Sequence, residues 1–221
     1  MKKALMLTLA LCATLLLAQT QAQAQDLKGD AAAGQKINAQ CIGCHGIAGY
    51  QASFPEVHRV PMISGQNAKY IVAALNEYKK GARKHGTMHA VAASLSDQDI
   101  ADLAAYYAQH GHVAATPEAL TAQPAADVAA LLAKGACASC HGANFNKPID
   151  GSYPKIAGQY PDYLYVALKA YKTEGNTYVG RSNAIMAGQV KQFSLKELKL
   201  LANYLGSLPA EVQTVPQSKF R

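Results

Sequence analysis

Cys41-Ile42-Gly43-Cys44-His45-Gly46 and Cys137-Ala138-Ser139-Cys140-His141-Gly142 decide the reading of this chain. The two stretches lie 96 residues apart, and their surroundings repeat as well. Pro61-Met62-Ile63-Ser64-Gly65-Gln66 answers Pro154-Lys155-Ile156-Ala157-Gly158-Gln159, and Tyr70, Leu75, Tyr78 and Lys79 answer Tyr163, Leu168, Tyr171 and Lys172, all at an offset of 93. Arg83 stands five residues before Met88 as Arg181 stands five before Met186; the offset is now 98, so the second half carries a five-residue insertion. A period this long means tandem domains rather than a solenoid of short units.

Each stretch is a C-x-x-C-H motif. Two thiols one helical turn apart can add to the vinyl groups of a porphyrin, and the next residue then places its imidazole under the iron. The alternatives fit less well. A zinc site needs four N or S ligands, and the second half offers only Cys137, Cys140 and His141 at ligand spacing. A thioredoxin-like dithiol needs a strand and a helix around it, for which no pattern is present. Two covalently attached haem c groups are therefore expected, held by Cys41 and Cys44 and by Cys137 and Cys140.

The chain begins with the basic residues Lys2 and Lys3, an almost wholly apolar run from Ala4 to Ala18, and Ala22-Gln23-Ala24, which fits an A-x-A cleavage site. About 15 apolar residues fall short of the ~20 that span a bilayer. Residues 1–24 are thus expected to be a signal peptide, with export to the periplasm and a mature start at Gln25. Cys12, preceded by Leu11, would leave with it, so four cysteines remain. With 50% apolar and 16% charged residues, the chain can build cores and is not of the disordered class.

The periodicity is helical. Ser96 with Asp99 and Ser194 with Glu197 read as capping boxes, followed by apolar residues at helical spacing: Ile100, Leu103, Ala104 and Tyr107, and Leu198, Leu201, Ala202 and Leu205. These helices should stop near Gly111 and Gly206. Further helices are expected from Ala31 to Gln40, Asn67 to Lys80, Asp127 to Ala136 and Pro161 to Thr173, with no convincing strand, so the fold class is all-α. The Pro- and Ala-rich stretch between the halves gives boundaries of 25–112, a linker at 113–126, and 127–221.

The sixth iron ligand can be argued by elimination. In the mature second half His141 is the only histidine and Met186 the only methionine, so Met186 is the candidate, with lysine or an open position as weaker rivals. The repeat transfers the role to Met88. Met62 competes, but its counterpart is Lys155. His58, His85, His89, His110 and His112 all lie in the first half; without counterparts in the second they read as surface or loop residues, His89 beside Met88 being the one to watch.

The tandem C-x-x-C-H-G segments, the P-x-[IL]-[AS]-G-Q segments, the R-x4-M segments and the Ser-capped last helices together resemble the di-haem cytochromes c4 over essentially the whole mature chain. The resemblance implies two class I cytochrome c domains related by pseudo-twofold symmetry, with propionate edges meeting near the interface. It implies axial ligation by His45 with Met88 and by His141 with Met186, and close crossing of first and last helices at Gly34 and Ala130. His85, where the second half has Asn183, departs from the repeat.

Such a chain is expected to be an electron carrier and not an enzyme. The resemblance places it between a quinol-oxidising or similar respiratory donor and a terminal oxidase or reductase. An alternative is the cytochrome subunit of a dehydrogenase, such as a sulfide-oxidising flavoprotein. Partners are redox proteins rather than nucleic acid, and peripheral membrane association stays open. From Gln25 to Gln123 eight Lys and Arg balance eight Asp and Glu, whereas Pro124 to Arg221 holds eleven against six, so the second half should meet an acidic partner.

Overall fold

A computed structural model describes residues 27–111, 115–117, 119–120 and 123–216. The signal segment with Cys12, His112, and the tail residues Lys219 and Arg221 lie outside these described residues.

The first half contains α1 (Ala31–Ile37), α2 (Ala39–His45), β1 (Gln51–Ala52), β2 (His58–Arg59), α3 (Ala68–Lys79), β3 (Arg83–Lys84), α4 (Gly86–Ala93) and α5 (Asp97–Gln109). The second contains α6 (Ala126–Lys134), α7 (Ala138–His141), α8 (Pro161–Lys172), β4 (Gly180–Arg181), α9 (Ala184–Lys191) and α10 (Leu195–Ser207). Both capping boxes form: the Ser96 and Ser194 side chains accept from the amides of Asp99 and Glu197, whose carboxylates accept in return from the serine amides. The apolar faces that follow make the cores, Ile71, Leu95, Ile100, Leu103 and Tyr107 in one half and Leu131, Val190, Phe193, Leu198 and Leu201 with Phe145, Ala157, Leu164, Ala202 and Leu205 in the other.

Two expectations need correction. The helix expected from Ala31 to Gln40 breaks at buried Asn38, whose carbonyl accepts from the Cys41 and Ile42 amides and so starts the short helix that carries the motif. The last helix does stop beside Gly206, at Ser207, and this glycine has a second role: a Cβ there would overlap Pro161, so its absence permits a close approach. Four strands are present among the described residues, each of two residues, too short for alternation to reveal.

At the helix crossings the halves differ. A Cβ on Gly34 would overlap the Asp102 carbonyl oxygen, so only glycine lets α1 seat this closely on α5. Asp102 is buried and accepts from the Asp30 amide at 2.7 Å and from Gln98 Nε2 at 2.8 Å. Ala130 is exposed instead, and α6 packs through Val128 and Leu131.

The halves meet by reciprocal contacts. Gln66 Oε1 accepts from the Lys155 amide and its Nε2 donates to the Lys155 carbonyl, both at 2.9 Å. Gln159 holds Met62 in the same way, at 3.0 and 2.9 Å. β3 and β4 pair antiparallel across the junction, placing Arg83 opposite Arg181. These contacts are those of an isologous interface within one chain. The β1–β2 hairpin adds an unsymmetrical strap: Arg59 Nε lies 3.0 Å from Asp162, Glu56 2.9 Å from Lys169 Nζ, and the His58 ring stacks on Tyr163.

Candidate functional sites

α2 and α7 each end on the motif histidine and display the two preceding cysteines along one turn. His45 Nδ1 lies 2.8 Å from the Pro61 carbonyl oxygen, and His141 Nδ1 lies 2.9 Å from that of Pro154. A carbonyl can only accept, so Nδ1 carries the proton in both rings and Nε2 keeps its lone pair. Burial lowers both imidazole pKa values, favouring the neutral ring that a metal requires.

Cys41, Cys44, Cys137 and Cys140 form no disulfide with one another. Burial pushes the Cys41 thiol up to about 11 and raises Cys137 in the same direction. Reactive dithiols and zinc ligands sit where the thiolate is favoured. These surroundings favour uncharged sulfur, as in a thioether.

Met88 and Met186 occupy the third position of α4 and α9. The His85 and Asn183 side chains cap these helices, His85 Nδ1 accepting from the Met88 amide at 3.4 Å and Asn183 Oδ1 from the Met186 amide at 3.1 Å. The departure from the repeat at this position is therefore a change of capping group. Lys79 and Lys172 tie down the far ends: Lys79 Nζ donates to the Leu95 carbonyl and Lys172 Nζ to those of Val190, Lys191 and Phe193. Met62 lies elsewhere, its backbone gripped by Gln159 beside Pro61.

The extra histidines also find partners. His89 Nδ1 pairs with the Tyr78 carbonyl at 2.8 Å, His58 Nδ1 with that of Glu56 at 2.8 Å, and His110 with Ser64 Oγ at 2.9 Å. His58 is buried rather than exposed, because Tyr163 covers it from the other half.

Sequence reasoning did not find the charged cluster at the junction. Arg83 Nη2 donates to Tyr70 Oη at 2.9 Å and lies over the Tyr78 ring; Arg181 Nη2 donates to Tyr163 Oη at 3.2 Å and lies over Tyr171. The repeat of Tyr, Tyr and Arg was the visible signal. Arg83 is buried, its nearest carboxylate is 3.9 Å away on Glu77, and its Nε has no hydrogen-bond partner. Two guanidinium groups among neutral phenols call for anions. Thiols raised in pKa by burial at Cys41 and Cys137, imidazoles protonated on Nδ1, and paired arginines of which Arg83 keeps an unsatisfied Nε suit a metalloporphyrin with carboxylate side chains, so the residues present fit haem.

The Cytochrome c family matches twice, at residues 31–110 and 125–209. Cytochrome c4 of Azotobacter vinelandii is 31% identical over 193 residues, covering 81% of this chain and 90% of that protein. A protein of Stutzerimonas stutzeri described as a thiosulfate dehydrogenase electron acceptor is 30% identical, covering 87% of this chain and 91% of its own. Among solved structures, reduced recombinant cytochrome c4 from Pseudomonas stutzeri superposes with a TM-score of 0.61 at 29% identity, covering 82% of this chain and all of that one.

Proposed function

The chain belongs to the cytochrome c family, and within it to the di-haem cytochromes c4, and on that premise we propose that it shuttles electrons in the periplasm from a respiratory donor complex to a terminal oxidase or reductase. It is an electron-transfer protein, not an enzyme, and binds two covalently attached haem c groups. The groups supply the one-electron chemistry; the chain supplies attachment, ligation and insulation.

In this reading Cys41, Cys44, Cys137 and Cys140 would form the thioethers, and His45 with Met88 and His141 with Met186 would hold the two irons. The halves are cytochrome domains at 25–112 and 127–221 joined by 113–126, after removal of residues 1–24. Arg83 and Arg181 would neutralise carboxylates of the bound groups. One observation carries the ligation: both motif histidines are neutral, with Nδ1 committed to a proline carbonyl and Nε2 left for iron. Two protein ligands per iron leave no position for substrate, which suits electron carriage, and a thioether ligand raises the reduction potential relative to imidazole.

The far-red absorption of Met bound to iron(III) tests the axial pairs. It should fall by about half in Met88→Ala and in Met186→Ala and survive Met62→Ala. Loss in Met62→Ala alone would overturn the first-half assignment. Mass spectrometry of the periplasmic fraction should find two haems on a chain beginning at Gln25; a chain beginning at Met1 would overturn the export reading.

The resemblance to a thiosulfate dehydrogenase electron acceptor supports a second reading, in which the donor is a dehydrogenase acting on a small sulfur compound. Co-purification with such an enzyme, and reduction by it faster than by a quinol-oxidising complex, would favour this reading over the first.

A further inference from the structure

The Pro61 carbonyl that accepts from His45 Nδ1–H belongs to the same peptide group as the Met62 amide, and that amide donates to Gln159 from the other half. The arrangement recurs with the halves exchanged. His141 Nδ1 donates to the Pro154 carbonyl, and the N–H of that peptide, on Lys155, donates to Gln66. Each proximal imidazole is thus one peptide away from a glutamine of the opposite domain.

We propose that Gln66 and Gln159 are positioning residues that set the donor strength of the opposite domain's proximal histidine. This rests on the assignment of His45 and His141 as iron ligands. A peptide N–H that donates a hydrogen bond makes its own carbonyl a stronger acceptor, because amide polarisation is shared along the chain of bonds. A stronger acceptor at Nδ1–H gives the imidazole more imidazolate character, strengthens its donation through Nε2 and favours the oxidised metal. The surroundings favour transmission. Gln66 and Gln159 are each only 4% exposed, so water does not compete for their amides. Their orientation is fixed as well: Oε1 also accepts from the next backbone amide, Asn67 at 2.9 Å and Tyr160 at 3.0 Å, while Nε2 holds the carbonyl of the residue it grips. The side-chain amide cannot flip without losing all three bonds.

The control is crossed, and crossing separates it from local packing. In holoprotein Gln159→Leu, the haem on His45 should rise in potential by about threefold in its one-electron equilibrium, about 28 mV at ~59 mV per tenfold. The haem on His141, in the mutated domain, should move less. Gln66→Leu should give the mirror pattern. Potentials are read for each haem by redox titration followed through its own paramagnetically shifted NMR signals, and the same spectra report each Nδ1–H. A variant that moves mainly the haem of its own domain, moves both equally or moves neither overturns the proposal. Gln159→Glu serves if the leucine variant does not fold: it keeps the acceptor oxygen, with a charge, and should lower the potential of the His45 haem, so a rise there also overturns it. Failure of the ligand assignment is a separate result, seen in the unmutated protein as spectra without histidine on iron.

Discussion

The two halves answer each other motif for motif, yet each closes on itself by different means. In the first, glycine lets α1 drop onto α5, and buried Asp102 fastens the crossing from inside. In the second, α6 stays farther out on larger side chains, and closure falls to the segments after the helices. Buried Asn146 donates to the Pro209 carbonyl at 2.8 Å and to Thr116 Oγ1 at 3.1 Å and accepts from the Glu211 amide at 3.2 Å. Glu211 in turn binds Thr116 and Lys155. The site is kept, and the fastening around it is free to differ. What is common to both halves is the set assigned to the proposed haem sites: the proline carbonyl at Nδ1, the capped methionine helix, and arginine with its two tyrosines.

The sharpest way to break this contrast is to add a side chain at matched positions. Gly34→Val should cost about 3 kcal/mol or more, since the added carbons meet backbone, whereas Ala130→Val at an exposed site should stay within about 0.5 kcal/mol. Denaturant unfolding of the holoprotein reads both; equal costs would mean the crossings are alike. Next, Asn146→Ala should cost about 2 kcal/mol by stranding buried partners, and should expose the segment around Pro209 to hydrogen exchange while leaving α1 and α5 protected.

Acid should sharpen the contrast by a smaller amount. Burial alone would raise the Glu211 pKa, but Thr116 and Lys155 outweigh it and hold the carboxyl below its ordinary value. A depressed carboxylate contributes stability above its unfolded pKa, near 4.5, and that contribution is lost as the pH falls through the lower folded value. Stability should therefore fall on acidification below about pH 4.5, by about 1 kcal/mol in all for so partly exposed a pair. Glu211→Gln should flatten that part of the profile. An unchanged profile would remove Glu211 as a fastening.

The smallest effect concerns encounter. Lys79 and Lys84 are engaged within the protein, with Leu95 and with Asn176, so exposed Lys28, Lys36 and Lys80 make the fairer comparison with exposed Lys191, Lys196 and Lys199. Reversing charge at the second set should slow reduction by an acidic redox partner severalfold at low ionic strength, an effect that added salt erases. Equal slowing by both sets would remove the preference for the second domain.

Much of this was legible in the sequence because it is local. A capping box spans four residues, the attachment motif five, and the repeat register carried one half's reading to the other. Ala130 misled because its register matched Gly34 while its depth did not; offset gives position along a helix, not distance from the next one. The glutamines were visible as letters of a repeated motif, but their partners lie 97 and 89 residues away in the other half. No periodicity reports which half a side chain faces. Gly206 marked the end of its helix correctly, but nothing in the sequence shows that Pro161 approaches it.

The glutamine contacts grip only backbone N–H and C=O, so they are blind to the side chain at the gripped position. Methionine stands there in one half and lysine in the other, and both are held alike. Had two separate copies of one gene met through this surface, every substitution would have appeared on both sides at once. Joined in one chain and held in part by contacts that ignore side-chain identity, the halves can drift apart at the gripped positions without parting. One is free to gather histidines and the other positive charge while the junction between them keeps its form.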